Sequence, residues 1–294
     1  MPERTRKLAL AEGITAGAFF GTAAIFIRLL EGIDVFSIAF WRLIIAAVAL
    51  ALILLVLKKS FNLKLMQRNL KNLTVLSFFL GLHFILFVSA VKDTTILNAT
   101  VLVNTAPIFS MFVSAFLFNA KPSRLAVLGL TVSFIGVCII AIADAQPFGF
   151  SLNLKGDLEA VLAAVAEAFY LNLGRKTRSQ MPILSTMLPI YVLTAMVIGV
   201  ISIPAATALT IPNSFEMILF LIGLGILPTA ISHTLYFSSL SNLKSFETAT
   251  MALLEPIGAT VLGVMIFHEI PALLFVFGAV LILLGITFVV KQRD

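Results

Sequence analysis

Residues 35–57, VFSIAFWRLIIAAVALALILLVL, form an apolar run that a single charged residue, Arg42, interrupts. A helix needs about 20 predominantly apolar residues to cross the hydrocarbon core of a bilayer, which is about 30 Å thick. The run is long enough to do so, and it lacks the polar face that a surface helix of a soluble domain presents to water. We therefore interpret it as a membrane-spanning helix.

The composition of the whole chain extends this interpretation. Of its 294 residues, 60% are hydrophobic and 12% are charged, and the mean hydropathy is +1.10. Soluble domains are usually about 45–50% apolar and about 25% charged, so this chain has too few polar residues to cover a water-facing surface. A sizeable soluble domain is excluded, and we expect a multi-pass membrane protein.

Apolar runs and loop signals divide the chain into ten predicted spans, with boundaries good to about four residues. The spans are 8–30, 35–57, 73–91, 95–118, 124–143, 158–174, 184–203, 216–240, 245–267 and 271–290. If the N-terminus is cytoplasmic, 16 of the 20 Lys and Arg residues fall in cytoplasmic segments, as the positive-inside rule predicts. The sequence thus predicts an all-α membrane protein with ten transmembrane helices and both termini in the cytoplasm.

An internal repeat relates the two halves of the chain at an offset of about 150 residues. Pro107 matches Pro256, and His83 matches His233. Because each unit holds five spans, an odd number, the second copy must enter the membrane from the opposite side. Such inverted repeats are typical of alternating-access carriers, whose binding site lies near the bilayer midplane. The predicted five-helix units are 1–145 and 146–294.

Several motifs occupy definite places in these spans. They are Ala39-Phe40-Trp41-Arg42 followed by Ala46-Ala47 in the second span, Pro107 and Pro256 in the fourth and ninth, and Phe267-His268-Glu269 at the end of the ninth. With these motifs the chain resembles, over essentially its whole length, the EamA-type ten-helix carriers of the drug/metabolite transporter superfamily. It departs from them at Ala120, where the family often has an acidic residue ending helix 4.

The resemblance implies movement of small metabolites, such as amino acids or other organic solutes, across the cytoplasmic membrane. It also implies a cavity between helices 1–4 and 6–9, with helices 5 and 10 at the periphery. The resemblance is moderately specific for the fold and only weakly specific for the substrate.

Ionisable residues inside the spans are the main candidates for function, because each costs about 2.5–3.5 kcal/mol at a helix centre on insertion scales. Glu167 and Glu255 lie at similar mid-depth, and we expect them to bind substrate or protons in the cavity. A structural pair, for example with Arg42, is the alternative. Arg42 could instead hold a substrate carboxylate or be architectural. His83 and His233 could bind substrate or serve packing.

Further polar and aromatic residues complete the predicted substrate-binding set, with ordinary packing as the alternative for each. They are Asn98, Asn104, Thr105, Phe20, Tyr170 and Tyr236. Pro107 and Pro256 each remove a backbone donor, so they predict either hinges with exposed carbonyls or static kinks.

The sequence shows no Walker-type phosphate loop and no paired-cysteine metal site, so we predict no cofactor, no metal and no coupling to ATP. The single cysteine excludes an intramolecular disulfide, and the spread of Lys and Arg over short loops argues against nucleic acid. The leading hypothesis is a secondary transporter that exports or exchanges a small zwitterionic or cationic, amino acid-like metabolite, with protons as a candidate coupling ion. The alternatives are a passive channel and an intramembrane enzyme that uses the Glu and His residues. The oligomeric state is left open.

Overall fold

The computed structural model describes residues 5–58, 61–144, 153–267 and 273–291. Within these ranges the chain is all α-helical and contains no strand. Consecutive helical residues group into long segments, which we label α1 to α10. They are α1 (Arg6–Leu29), α2 (Val35–Val56), α3 (Leu70–Asp93), α4 (Ile96–Leu117), α5 (Arg124–Asp144), α6 (Leu154–Gln180), α7 (Ile183–Ser202), α8 (Phe215–Ser239), α9 (Ser245–Met251, Ala252–Leu254 and Glu255–Phe267) and α10 (Leu273–Lys291). A short helix, Leu63–Arg68, precedes α3.

Eight of these segments are long and apolar enough to cross a membrane, counted over the described residues. The two others are α6, which carries charges towards both ends, and α9, which a 3-10 turn at Ala252–Leu254 interrupts. The predicted spans 158–174 and 245–267 coincide with these two helices. The structure therefore supports an all-α, multi-pass membrane protein, while the count of ten spans remains a prediction.

Helices α5 and α10 pack chiefly against each other. A Cβ atom at Gly129 would lie 2.5 Å from the carbonyl oxygen of Gly285, and one at Gly136 would lie 2.6 Å from that of Gly278. Only glycine allows this approach of two helix backbones, which Ser133 reinforces by donating to the carbonyl of Ile282.

The other eight helices form the main bundle, in which α3 packs on α6, α1 on α8, and α2 on α7. Four of them are broken part-way along their length. α1 is interrupted at Gly21 and Thr22, α4 at Asn104 and Thr105, α8 by the π-helical segment Gly225–His233, and α9 by its 3-10 turn. Irregular backbone at membrane depth is tolerated where it is buried in protein or lines a cavity.

Polar contacts hold both ends of the main bundle together. At the end where α1 begins and α10 finishes, Arg6 pairs with the buried Glu247 of α9, with Nη2 and Oε1 2.6 Å apart. Arg6 also donates to the carbonyl of Val290, so the start of α1 and the finish of α10 lie at the same end. At the opposite end Lys155 Nζ of α6 lies 2.7 Å from Asp93 Oδ2 of α3.

Candidate functional site

A cavity lies at the centre of the main bundle, beside the breaks in α1, α4, α8 and α9. Its volume is about 40 Å3, room for about three water molecules at about 10–15 Å3 each. The lining residues are Phe20, Ala23, Arg42, His83, Phe84, Phe87, Val103, Asn104, Glu167, His233, Ala252 and Glu255. Seven of them belong to the substrate-binding set that the sequence predicts. A solute larger than a few waters requires the helices to move apart.

Glu167 is held in the cavity wall by α6, whose alanines let α3 pack closely beside it. The Tyr236 hydroxyl donates a 2.7 Å hydrogen bond to Oε1 of Glu167, and Nδ1 of His83 lies 3.7 Å from Oε2. The same Nδ1 is 3.0 Å from the carbonyl oxygen of Ala163. Because a carbonyl can only accept, Nδ1 of His83 carries the proton in this arrangement. The result is a buried carboxylate with two neighbouring proton carriers.

Glu255 begins the last helical part of α9, directly before Pro256, and faces the break in α4. The amide nitrogen of Asn104 donates to Oε2 of Glu255 at 3.2 Å and to the carbonyl of Thr100 at 2.8 Å. Both partners are acceptors, so the NH2 group of Asn104 must point at them. Its other amide atom, Oδ1, is buried and has no hydrogen-bond partner among the described residues.

Arg42 enters the cavity from α2 and is 1% exposed. Its Nε donates to the Thr229 hydroxyl at 2.9 Å, and that hydroxyl in turn donates to the carbonyl of Leu224 at 2.7 Å. The guanidinium carbon lies 4.1 Å from the centre of the Phe84 ring, a cation–π arrangement. Nη1 is buried and, within the described part of the chain, has no hydrogen-bond partner. In the same ranges Arg42 makes no ion pair, so the structural pairing with the carboxylates is not formed in this conformation.

His233 stands at the end of the π-helical segment, enclosed by aromatic rings. The ring centres of Phe20 and Phe84 both lie 4.8 Å from its own, and that of His83 lies 6.0 Å away. The two histidines that the repeat matches therefore meet in one cavity. Nδ1 of His233 is also buried without a hydrogen-bond partner in the ranges that the structure describes.

Four of the predicted site residues do not line the cavity. Tyr236 lies just behind the wall, against Phe20 and bonded to Glu167. Tyr170 instead points to α7, where its hydroxyl lies 3.7 Å from the sulfur of Met187. Asn98 sits near the start of α4 and donates to Asp157. Thr105 caps the break in α4 by donating to the carbonyl of Leu102.

The two predicted hinge prolines both follow a break in their helix. Pro107 comes two residues after the break in α4, and Pro256 follows the 3-10 turn of α9. His268 and Glu269, which contribute to the family resemblance, lie outside the described residues.

Residues that sequence reasoning missed include Thr229, which orients Arg42, and Phe84, on which the guanidinium rests. Pro228 is the one local signal for the first of these, because a proline inside an apolar span marks a place where the helix departs from regular geometry. Phe84 has no such signal among 26 phenylalanines.

The profile of the EamA-like transporter family matches the chain twice, over residues 7–142 and 154–291. The chain belongs to the EamA-like transporter family. This EamA-family protein is accordingly a multi-pass membrane protein, as its helices and composition indicate.

Relatives of this EamA-family protein carry the name of uncharacterized transporter. The Bacillus subtilis transporter YxxF is 24% identical over 88% of this chain and 82% of its own length. An Archaeoglobus fulgidus transporter is 25% identical over 95% of this chain and 94% of its own. A solved structure described as "Crystal structure of protein" has a TM-score of 0.81 and 18% identity, and it covers 97% of this chain and 96% of its own, which shows a shared fold.

Proposed function

We propose that this protein is a secondary carrier that moves a small organic metabolite across the cytoplasmic membrane by alternating access, as an exporter or exchanger. The substrate is amino acid-like, zwitterionic or cationic. The observation that carries the proposal is the meeting of Glu167, Glu255 and Arg42 in one buried cavity. Ionisable groups at this depth are costly, so a site that keeps three of them together points to a polar solute.

The packing of the helices supports two inverted halves. Helix α3 of the first half packs on α6 of the second, and α8 of the second packs on α1 of the first. Helices α2 and α7, and α5 and α10, are counterparts that contact each other directly. This reciprocity is expected for two copies related by an axis in the membrane plane, and the two separate family matches agree with a duplication.

The polar contacts at both ends of the bundle support alternating access. Arg6–Glu247 would close the cytoplasmic side, and Lys155–Asp93 the external side. With both contacts formed, the small cavity of about 40 Å3 suits a state between the two open ones. Opening one contact at a time would expose the cavity to one side only.

We propose protons as the coupling ion, with Glu167 as the carrier. Its carboxylate contacts the Tyr236 hydroxyl and approaches His83, and it shares the cavity with Glu255, His233 and Arg42. A carboxylate that takes up a proton from the solution on one side of the membrane and releases it on the other changes the net charge of the cavity during the transport cycle.

Counterflow in proteoliposomes tests the proposal. Vesicles that contain the purified protein are loaded with one unlabelled solute and diluted into its labelled form, for a panel of amino acids, amines and other metabolites. A carrier accumulates label transiently and saturably without ATP. If no labelled solute of the panel accumulates, the proposed carrier function is refuted. Equilibration that neither saturates nor overshoots would instead identify a channel, and chemical conversion of a solute would identify an enzyme.

A further inference from the structure

Three lining residues of the cavity each have a buried polar atom without a hydrogen-bond partner among the described residues. They are Nη1 of Arg42, Oδ1 of Asn104 and Nδ1 of His233. All three side chains are more than nine-tenths buried. An unsatisfied buried polar group destabilises the fold, so each of these atoms needs a partner that enters the cavity, which is water in the resting protein and a polar solute during binding.

The unsatisfied atom of Arg42 is a donor on a rigid group. Thr229 holds the guanidinium through Nε, and Phe84 supports its face, so the group is oriented before any ligand arrives. A guanidinium offers several N–H donors in one plane and binds carboxylates in preference to neutral acceptors. This wall of the cavity therefore suits the carboxylate of a solute.

The unsatisfied atom of Asn104 is an acceptor beside a second acceptor. Its NH2 group is already committed to Glu255 and to the carbonyl of Thr100, which leaves Oδ1 for a ligand. The Glu255 carboxylate lies next to it. An ammonium group has three donors and no acceptor, so it complements a carbonyl and a carboxylate placed side by side. This wall suits the amine of the same solute.

We propose that the cavity has two poles that bind the two charged groups of a zwitterion. Arg42 binds the carboxylate, and Glu255 and Asn104 bind the ammonium. The proposal rests on the carrier function and narrows its substrate to free amino acids, excluding simple amines and simple carboxylic acids. Phe20 and Phe87 line the same cavity and are available to the apolar part of the solute. His233 adds one further polar atom beside Phe84, at the Arg42 side.

Thermal-shift titration of the purified full chain tests the two poles, because a ligand that binds only the folded protein raises its melting temperature. The probes are the twenty amino acids, the amides of those that bind, and the matching acids that lack the amino group. We expect at least one amino acid to bind, and its amide and its des-amino acid each to bind about tenfold or more weakly, the loss expected for one charge-assisted contact. Equal binding of an amino acid and its amide would overturn the proposal, as would the absence of any amino acid ligand.

Substitutions assign the poles. Arg42→Met should remove the preference for the amino acid over its amide, and Glu255→Gln should remove the preference over the des-amino acid. If Arg42→Met does not fold, Arg42→Lys is the second variant, because it keeps the positive charge but loses the planar set of donors. We expect Arg42→Lys to bind the amino acid more weakly than the wild type and to bind the amide equally well. Arg175→Met and Glu216→Gln, at exposed positions, are the matched controls. The assignment would be wrong if the Arg42 variants still preferred the amino acid over its amide as strongly as the wild type does, or if Glu255→Gln still preferred it as strongly over the des-amino acid.

The outcome separates this inference from the carrier function. If counterflow succeeds with an amine that lacks a carboxylate and no amino acid binds, the carrier stands and the two-pole site is wrong. If no solute shows counterflow while amino acids bind with the expected discrimination, the site stands and the carrier is wrong.

Discussion

Tyr236 of α8 donates a 2.7 Å hydrogen bond to Glu167 of α6, which joins α8 to a carboxylate that lines the cavity. Tyr236 is fully buried and its ring packs edge-on against Phe20 at 5.1 Å. The contact links α6, which is continuous, to a residue of α8 that lies three positions after the π-helical segment Gly225–His233.

Tyr236→Phe should keep the packing against Phe20 and remove only the donor to Glu167. We expect counterflow to slow about tenfold, because a hydrogen bond to a charged group contributes about 1.5–3 kcal/mol. Tyr170→Phe is the matched control, since that hydroxyl donates to the sulfur of Met187 and not to a carboxylate, and its transport rate should equal that of the wild type. Equal rates in both variants would remove the Tyr236–Glu167 contact from the transport cycle.

Glu167→Gln separates proton coupling from substrate binding. The amide keeps the shape of the side chain but cannot release a proton, so we expect a pH gradient to drive no accumulation while counterflow at equal pH persists. The readout is labelled solute uptake with and without an imposed gradient. Gradient-driven accumulation at the wild-type level in this variant would show that the proton is carried elsewhere.

Gly17 tests the contact between α1 and α9. A Cβ atom there would lie 1.9 Å from the carbonyl oxygen of Met251, so Gly17→Ala must push two backbones apart. We expect the free energy of unfolding to fall by about 1–3 kcal/mol, the usual effect of overpacking. Gly199→Ala is the control, because its Cβ meets nothing closer than 3.8 Å and alanine favours a helix over glycine by about 0.5–1 kcal/mol. An unchanged melting temperature for Gly17→Ala would refute the close packing.

The two end contacts should open independently. Glu247→Gln weakens the pair with Arg6 at one end, and Asp93→Asn weakens the pair with Lys155 at the other. Amide hydrogen exchange should rise around 6–13 and 245–251 in the first variant, and around 90–98 and 154–159 in the second. Faster exchange at both ends in either variant would contradict alternating closure.

The sequence predicts the helical segments and the membrane location well, because apolar length and scarce charge are local properties. It also selects Glu167, Glu255, His83 and His233, since ionisable groups in a span are costly enough to need a reason. All four line the cavity.

The sequence predicts less well how deep in the bundle a residue lies and which helix its side chain faces. Asn98 is six residues from Asn104 along α4, which is about 9 Å of helix, and it therefore lies near the end of the bundle instead of the cavity. Tyr170 is close to Glu167 in sequence but faces α7. The roles of Thr229 and Phe84 follow only from the folded structure, in which both contact Arg42.

The most direct test of the account is amino acid counterflow by the wild-type protein beside Glu255→Gln and Glu216→Gln. The carrier predicts a transient accumulation of label by the wild type and by the exposed Glu216→Gln control, and little or none by Glu255→Gln, whose side chain sits in the cavity. Accumulation by Glu255→Gln at the wild-type rate and affinity would contradict a binding site in this cavity.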